Sequence, residues 1–395
     1  MLKFHSSALI STICLMGIVF GARTGLSQTV QPVVRLTTKP TLSKILPFEA
    51  EAASRQLPVQ LILEAVDESD KPIENARIHL QILAPPQNPW VTTDFPKVEG
   101  TKLLDIKAVA PKGELNVQQM LPIRGTYQLR VAVTPNATHT FIPIQKTLTL
   151  SVSENWVKYR NFGFLVAILF AVGLVGGWII GGKQSIPAGE IAPQRVRLLL
   201  SGAVAIAIAA LLIVNISAEL AESGVSTSHT VQGKPQAGSR AVVQSQGLEL
   251  RLLGDTNTTV GKIANLQAEA IDTQTHQPAT DVILNVKTTQ LEHEWVVFAY
   301  QGIPDATGKL TWQQQFFDGA PHKVEVEVAP HSNAIRKFHP FRVKREIEVE
   351  GVAPPLSARL TTLALFASII AIGLVIGLRQ KYRWGLRRMD TDRKL

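Results

Sequence analysis

Apolar residues in this chain follow two different rhythms. In three stretches they run without a charged residue for about 20 positions: Phe162–Gly182, Leu198–Ile216 and Leu360–Leu378. Such a run is long enough to cross the hydrocarbon core of a bilayer, and in lipid a helix satisfies its own backbone groups, so residues 162–182, 198–216 and 360–378 are predicted to be transmembrane helices. Elsewhere the apolar residues come in short alternating segments broken by Pro, Gly, Asn and Asp. Residues 28–155 and 247–352 both read this way, and a period of two predicts half-buried strands of an all-β sandwich. Leu129, Val131 and Val133 share one face; Val324, Val326 and Val328 do the same, with Glu325 and Glu327 opposite. The expected fold class is two β-sandwich ectodomains plus three transmembrane helices.

The two β regions align with one another. Leu63-Glu64-Ala65-Val66-Asp67 matches Gln267-Ala268-Glu269-Ala270-Ile271-Asp272, each followed by a polar turn with a proline, Pro72 or Pro278. Gly113–Gln119 matches Gly308–Gln314, and Tyr127–Pro135 matches His322–Pro330, so His322 takes the place of Tyr127. A last strand in each region, near Leu148–Val152 and near Ile347–Val349, leads into a predicted span. Residues 220–246, rich in Ser, Gln and Gly, read as a flexible linker before the second module.

The stretches LEAVDESDKPIENARIHLQIL with GELNVQQMLPIRGTYQLRVAV, and LQAEAIDTQTHQPATDVILNV with GKLTWQQQFFDGAPHKVEVEV, resemble bacterial immunoglobulin-like extracytoplasmic modules, including the YtkA-like type. The resemblance covers roughly 80 residues of each region and none of the spans. It implies two immunoglobulin-like sandwiches. Some relatives handle copper or assist the assembly of membrane oxidases, but no matching ligand motif is present, so no metal-binding residue carries over.

Charge and the amino-terminal segment supply a direction. Residues 1–27 read as a secretory signal, with Lys3 ahead of the apolar Ala8–Phe20 run and small residues before Gln28. The net charge of +9 sits beside the apolar runs: Lys183, Arg195 and Arg197 in the loop 183–197, and Arg379, Lys381, Arg383, Arg387, Arg388, Arg393 and Lys394 in the tail 379–395. Both segments belong in the cytoplasm by the positive-inside tendency. The expected location is a bacterial plasma membrane, crossed several times, with both β regions outside. A basic face on a folded domain is what nucleic-acid binding needs, and the charge is not distributed that way. The single cysteine, Cys14, excludes an intrachain disulfide.

Candidate chemistry is sparse. Most histidines fall in the second β region, and imidazole is the commonest copper and zinc ligand. His293, beside Glu292 and Glu294, is the best metal candidate. His331 and His339 follow, with Arg336 and Lys337 opposing them. There is no His-Glu-x-x-His, Gly-x-Ser-x-Gly or Gly-Lys-Ser/Thr pattern. An enzyme is not expected, and neither is a cofactor. The series Gly173, Gly177, Gly181, with Gly373/Gly377, has the spacing of close helix packing, within the chain or toward a partner. The favoured reading is a non-enzymatic membrane protein that presents its β modules to another membrane or extracytoplasmic protein, as an accessory or assembly subunit. Metal binding or delivery through the histidines of the second module is the alternative.

Overall fold

The computed structural model describes residues 32–49, 56–88, 93–136, 141–181, 193, 196–198, 200–202, 240–332, 334 and 336–392. The signal 1–27 and the loop 183–197 fall wholly or almost wholly outside these residues. So do most of the span 198–216 and the linker 220–239.

Sixteen strands are described: β1 (Val33–Lys39), β2 (Val59–Val66), β3 (Ala76–Leu83), β4 (Lys102–Ala110), β5 (Glu114–Gln119), β6 (Gly125–Pro135), β7 (Ile144–Val152), β8 (Ala241–Ser245), β9 (Leu248–Gly254), β10 (Asn257–Thr259), β11 (Ile263–Asp272), β12 (Val282–Gln290), β13 (Trp295–Gly302), β14 (Lys309–Gln315), β15 (His322–Pro330) and β16 (Phe341–Glu350). Helix α1 (Trp156–Ile180) follows β7, and helix α2 (Leu356–Asp392) follows β16. Both helices are long and apolar enough to cross a membrane.

The strands form two eight-stranded sheets, and each sheet draws on both β modules. One runs β1-β2-β5-β13-β12-β15-β16-β10, the other β7-β6-β3-β4-β14-β11-β9-β8. The modules are therefore not two separate sandwiches. They join edge to edge twice, β5 to β13 and β4 to β14, both antiparallel. Each junction covers edge strands that would otherwise offer unpaired backbone groups to another chain. The alternation supplies the filling. Leu61, Leu63, Leu80, Ile82, Leu129, Val131, Val286, Phe298, Trp312, Val324 and Val326 are all buried in one continuous core that passes through both modules.

Local contacts recur between the modules. Gly113 and Gly308 each lead a strand at positive φ, where an added Cβ would crowd the Ile73 or Ala270 carbonyl. Behind each glycine, Ala65 N donates to Gly113 O at 2.8 Å and Ala270 N to Gly308 O at 2.9 Å. Asp67 accepts from the backbone of Ser69 and Lys71, and Asp272 from that of Gln274 and Thr275.

Residues 241–245, read above as the end of a linker, are instead β8. Gln246 and Gly247 both have positive φ. That is the geometry of a tight two-residue hairpin turn, and it folds the Ala241-Val242-Val243 run onto β9.

Helices α1 and α2 pack against each other through their glycines. A Cβ on Gly173 would overlap the Ile370 carbonyl, and one on Gly177 the Leu374 carbonyl. Reciprocally, one on Gly373 would overlap the Phe170 carbonyl, and one on Gly377 the Leu174 carbonyl. Backbones this close leave no room for larger residues, which is how small residues at four-residue spacing hold helices together in lipid. One turn further along, the Lys381 ammonium lies 4.0 Å from the ring centre of Trp178. Gly181 faces the Lys381 side chain of α2 rather than the α2 backbone.

Candidate functional site

β7 and β16 both end just before a helix, so Val152 and Glu350 mark the end of the double sandwich nearest α1 and α2. Register carries that end across the sheets: Gly125 pairs with Val152, Ile347 with His322, and His322 with Gln290. The connectors β1–β2, β3–β4, β12–β13 and β14–β15 all meet at this base.

Four aromatic rings from these connectors and strand ends gather there. Phe48 lies 5.0 Å from both Trp295 and Phe317, and Phe95 lies 5.5 Å from Phe317 and 5.9 Å from Phe48. Phe48 and Phe95 belong to the first module, Trp295 and Phe317 to the second. The tilted and edge-on arrangements suit the ring quadrupoles, so the cluster fastens one module to the other. Above it opens a cleft of about 330 Å³, walled by Lys97, Glu292, His293 and Asp318.

Asp318 is held at the cleft. Its carboxylate accepts from Gln290 Nε2 at 2.9 Å and from the Ala320 backbone N–H at 2.8 Å. Burial raises its pKa above the usual carboxylate value; those two hydrogen bonds and the nearby His293 oppose the shift without cancelling it. His293 stacks on Trp295 at 4.6 Å, and its backbone N–H donates to Gln290 Oε1 at 3.2 Å.

The three histidines named from the sequence are not brought together. His293 is at the base. His331 follows the last residue of β15 and His339 precedes β16, both at the opposite end of the sheets. The length of β15, about 3.3 Å per residue over nine residues, separates them. His339 instead exchanges two backbone hydrogen bonds with the Gln246 side chain. Among the described residues no group of three or more His, Cys, Asp or Glu is placed to hold a metal ion.

His322 is buried. Its Nδ1 lies 2.7 Å from the Ala320 carbonyl, and its ring meets Phe316 edge-on at 4.6 Å. Desolvation lowers its pKa to about 4, and the bond to Ala320 only partly opposes this. At the matching place in the first module, Tyr127 donates its hydroxyl to the Ile123 carbonyl at 2.6 Å and accepts from the Ile123 N–H at 2.9 Å. A tyrosine tied back in this way to backbone a few residues upstream is the arrangement known as a tyrosine corner.

A polar seam runs along the outer face of the β4–β14 junction. Asp105 accepts from His79 and Lys102 at 2.7 Å and from Gln81 at 2.8 Å, while Lys102 also reaches Gln313 across the junction at 2.8 Å. Burial pushes the Asp105 pKa upward, but these donors outweigh it and leave it below the usual value.

Sequence reasoning did not single out Phe48, Phe95, Phe317 or Asp318. Each lies in or beside a connector, where periodicity is silent. The available signal was three loop-borne aromatics and one at a strand start, in segments that chain order places at one end.

No known family profile matches the chain, and no curated protein matches it. Among solved structures, FetP of uropathogenic E. coli is similar at 12% identity over 28% of this chain and 95% of that one, with a TM-score of 0.20. A domain segment of intimin is similar at 10% identity over 81% and 99%, with a TM-score of 0.18. A two-domain fibronectin type-III segment of chicken tenascin is similar at 9% identity over 76% and 98%, with a TM-score of 0.15. Likeness at this level establishes no shared activity.

Proposed function

We propose that this chain is a non-enzymatic protein of the bacterial plasma membrane whose two β modules stand outside the cytoplasm as one rigid body and dock another membrane or extracytoplasmic protein. An accessory or assembly subunit of a membrane complex fits this reading. The observation that carries it is the aromatic-floored cleft at the base, formed jointly by both modules and opening beside the start of the helices. A partner's extracytoplasmic segment close to the membrane surface could enter it. The basic loop 183–197 and tail 379–395 favour a cytoplasmic position for those segments. A third crossing by residues 198–216 is then required to return the chain to the outer side.

The recurring glycine turns, the Tyr127/His322 correspondence and the reciprocal helix glycines support reading the chain as two copies of one unit, each a sandwich followed by a span. The modules then meet as the two halves of an isologous dimer would, with the same edges used from each side.

The test is site-specific photocrosslinking in cells. A photoreactive residue at Glu292 or Lys97, on the cleft rim, is expected to give one defined protein adduct. The same residue at Lys344, on the remote face of β16, is expected to give none. Indistinguishable adduct patterns at the three positions would refute the docking role of the cleft.

A further inference from the structure

Outside α1, α2 and the helical residues 196–198 and 200–202, six large apolar side chains among the described residues are strongly exposed. Three of them, Val33 in β1, Ile142 between β6 and β7, and Val242 in β8, are scattered and 39–45% exposed. The other three are more exposed and belong to one connector, β1–β2: Leu57 at 78%, Leu42 at 53% and Leu46 at 50%. Isolated exposed leucines need no explanation, but the three most exposed ones in a single connector do.

The connector's described residues, 40–49 and 56–58, lie against the start of α1. Asn155 caps the helix, accepting from Val157 N at 3.0 Å, and its amide donates to Glu49 Oε1 at 3.0 Å. Leu46 and Leu57 line a hollow shared with Pro40, Lys44 and Asn155. Leu42 sits in the short 3-10 turn Leu42–Lys44 just before Leu46. At the same level the first helical residue, Trp156, is largely exposed, and Tyr159 follows one turn on. Trp and Tyr in such a position mark the headgroup region of a bilayer. The leucines therefore continue sideways, at matching depth, the surface that α1 presents to lipid. Lys44 supplies a cation beside them, as interfacial segments do.

We infer that the described ends of the β1–β2 connector, residues 40–49 and 56–58, form a membrane-resting foot, with Leu42, Leu46 and Leu57 inserted into the interfacial layer of the bilayer that α1 and α2 cross. The occupant of this apolar face is lipid. Its effect is orientational: two packed helices alone leave the double sandwich free to tilt, and a lateral contact point fixes the height and facing of the basal cleft. This rests on α1 being a membrane span.

The experiment places a fluorophore on single cysteines in full-length Cys14→Ser protein in phospholipid nanodiscs, with nitroxide lipids as quenchers. Labels at Leu46→Cys and Leu57→Cys should lose fluorescence with a nitroxide high on the acyl chain, and less with one at mid-bilayer. A label at Ile168→Cys, on the exposed side of α1, should show the opposite order, and one at Val33→Cys should lose fluorescence with neither. If positions 46 and 57 behave like 33 while 168 is quenched, the foot does not exist although the span does. If 168 is also unquenched, the reading of α1 as a span fails, and the foot with it.

Discussion

Trp312 of β14 stands opposite Ile106 of β4, across the line where the second module joins the first. On the other sheet Val117 stands opposite Tyr300 in the same way. Val117 lies four residues after the turn glycine Gly113 and Trp312 four after Gly308, so the two junctions pair equivalent distances from these turns. Within the core, Phe298 lies 6.4 Å from Trp312 in a stacked arrangement and bridges the sheets at the junction. Because this core is continuous, Phe298→Ala should cost about 3–5 kcal/mol, the usual range for a buried phenylalanine. The loss should appear in both modules. Hydrogen exchange resolved to β6 and to β15 should quicken together; faster exchange in β15 alone would show that the modules unfold independently.

Tyr127 satisfies both backbone groups of Ile123 from inside the core. Tyr127→Phe keeps the ring and removes the hydroxyl. It should destabilise by about 1–3 kcal/mol, the range for leaving buried polar groups unpaired. A denaturant midpoint shift without a change in slope checks this.

His322 gives the fold an acid-sensitive limb. Its pKa falls from 6.5 to about 4 on folding, so the folded state holds it neutral. Above pH 6.5 neither state protonates it and there is no penalty. As the pH drops from 6.5 toward 4 the unfolded state binds the extra proton, and stability declines by about 3 kcal/mol in total before levelling off. His322→Phe should abolish this limb, even though it leaves the Ala320 carbonyl without that donor. Subtracting the two stability-versus-pH curves isolates the effect from every other group.

The glycine contact between α1 and α2 allows no added carbon. Gly173→Ile with Gly177→Ile should force the helices apart. Spin labels at Val175 and Val375, both exposed, should then report a longer and broader distance by pulsed electron resonance. An unchanged distance would mean that the helices repack around the new side chains without separating.

Much of this arrangement was legible in the sequence. Alternation marked β2, β3, β6, β12 and β15, and unbroken apolar runs marked α1 and α2. The alignment set His322 against Tyr127, and both side chains are buried and hydrogen-bonded to backbone. The junction was not legible, because β4 and β13 break the alternating rule. Leu103 and Leu104 are both buried, as are Val297 and Phe298, and β12 shifts register against β13 between Thr288 and Thr289. Nothing local in an edge strand says which distant edge it will meet. The basal cleft was hidden for a related reason, since its rings lie in connectors and become neighbours only once the junction forms.

Edge-to-edge fusion of the modules is tested most directly by a disulfide across the β5–β13 junction. Gln118 and Ala299 are in-register partners on its outer face, close enough for a disulfide between antiparallel neighbours. In Cys14→Ser protein, Gln118→Cys with Ala299→Cys should oxidise to an intramolecular bond as readily as the pair Gln60→Cys with Gln118→Cys, which are partners within the first module. Efficient formation of the second bond without the first would contradict the fused double sandwich.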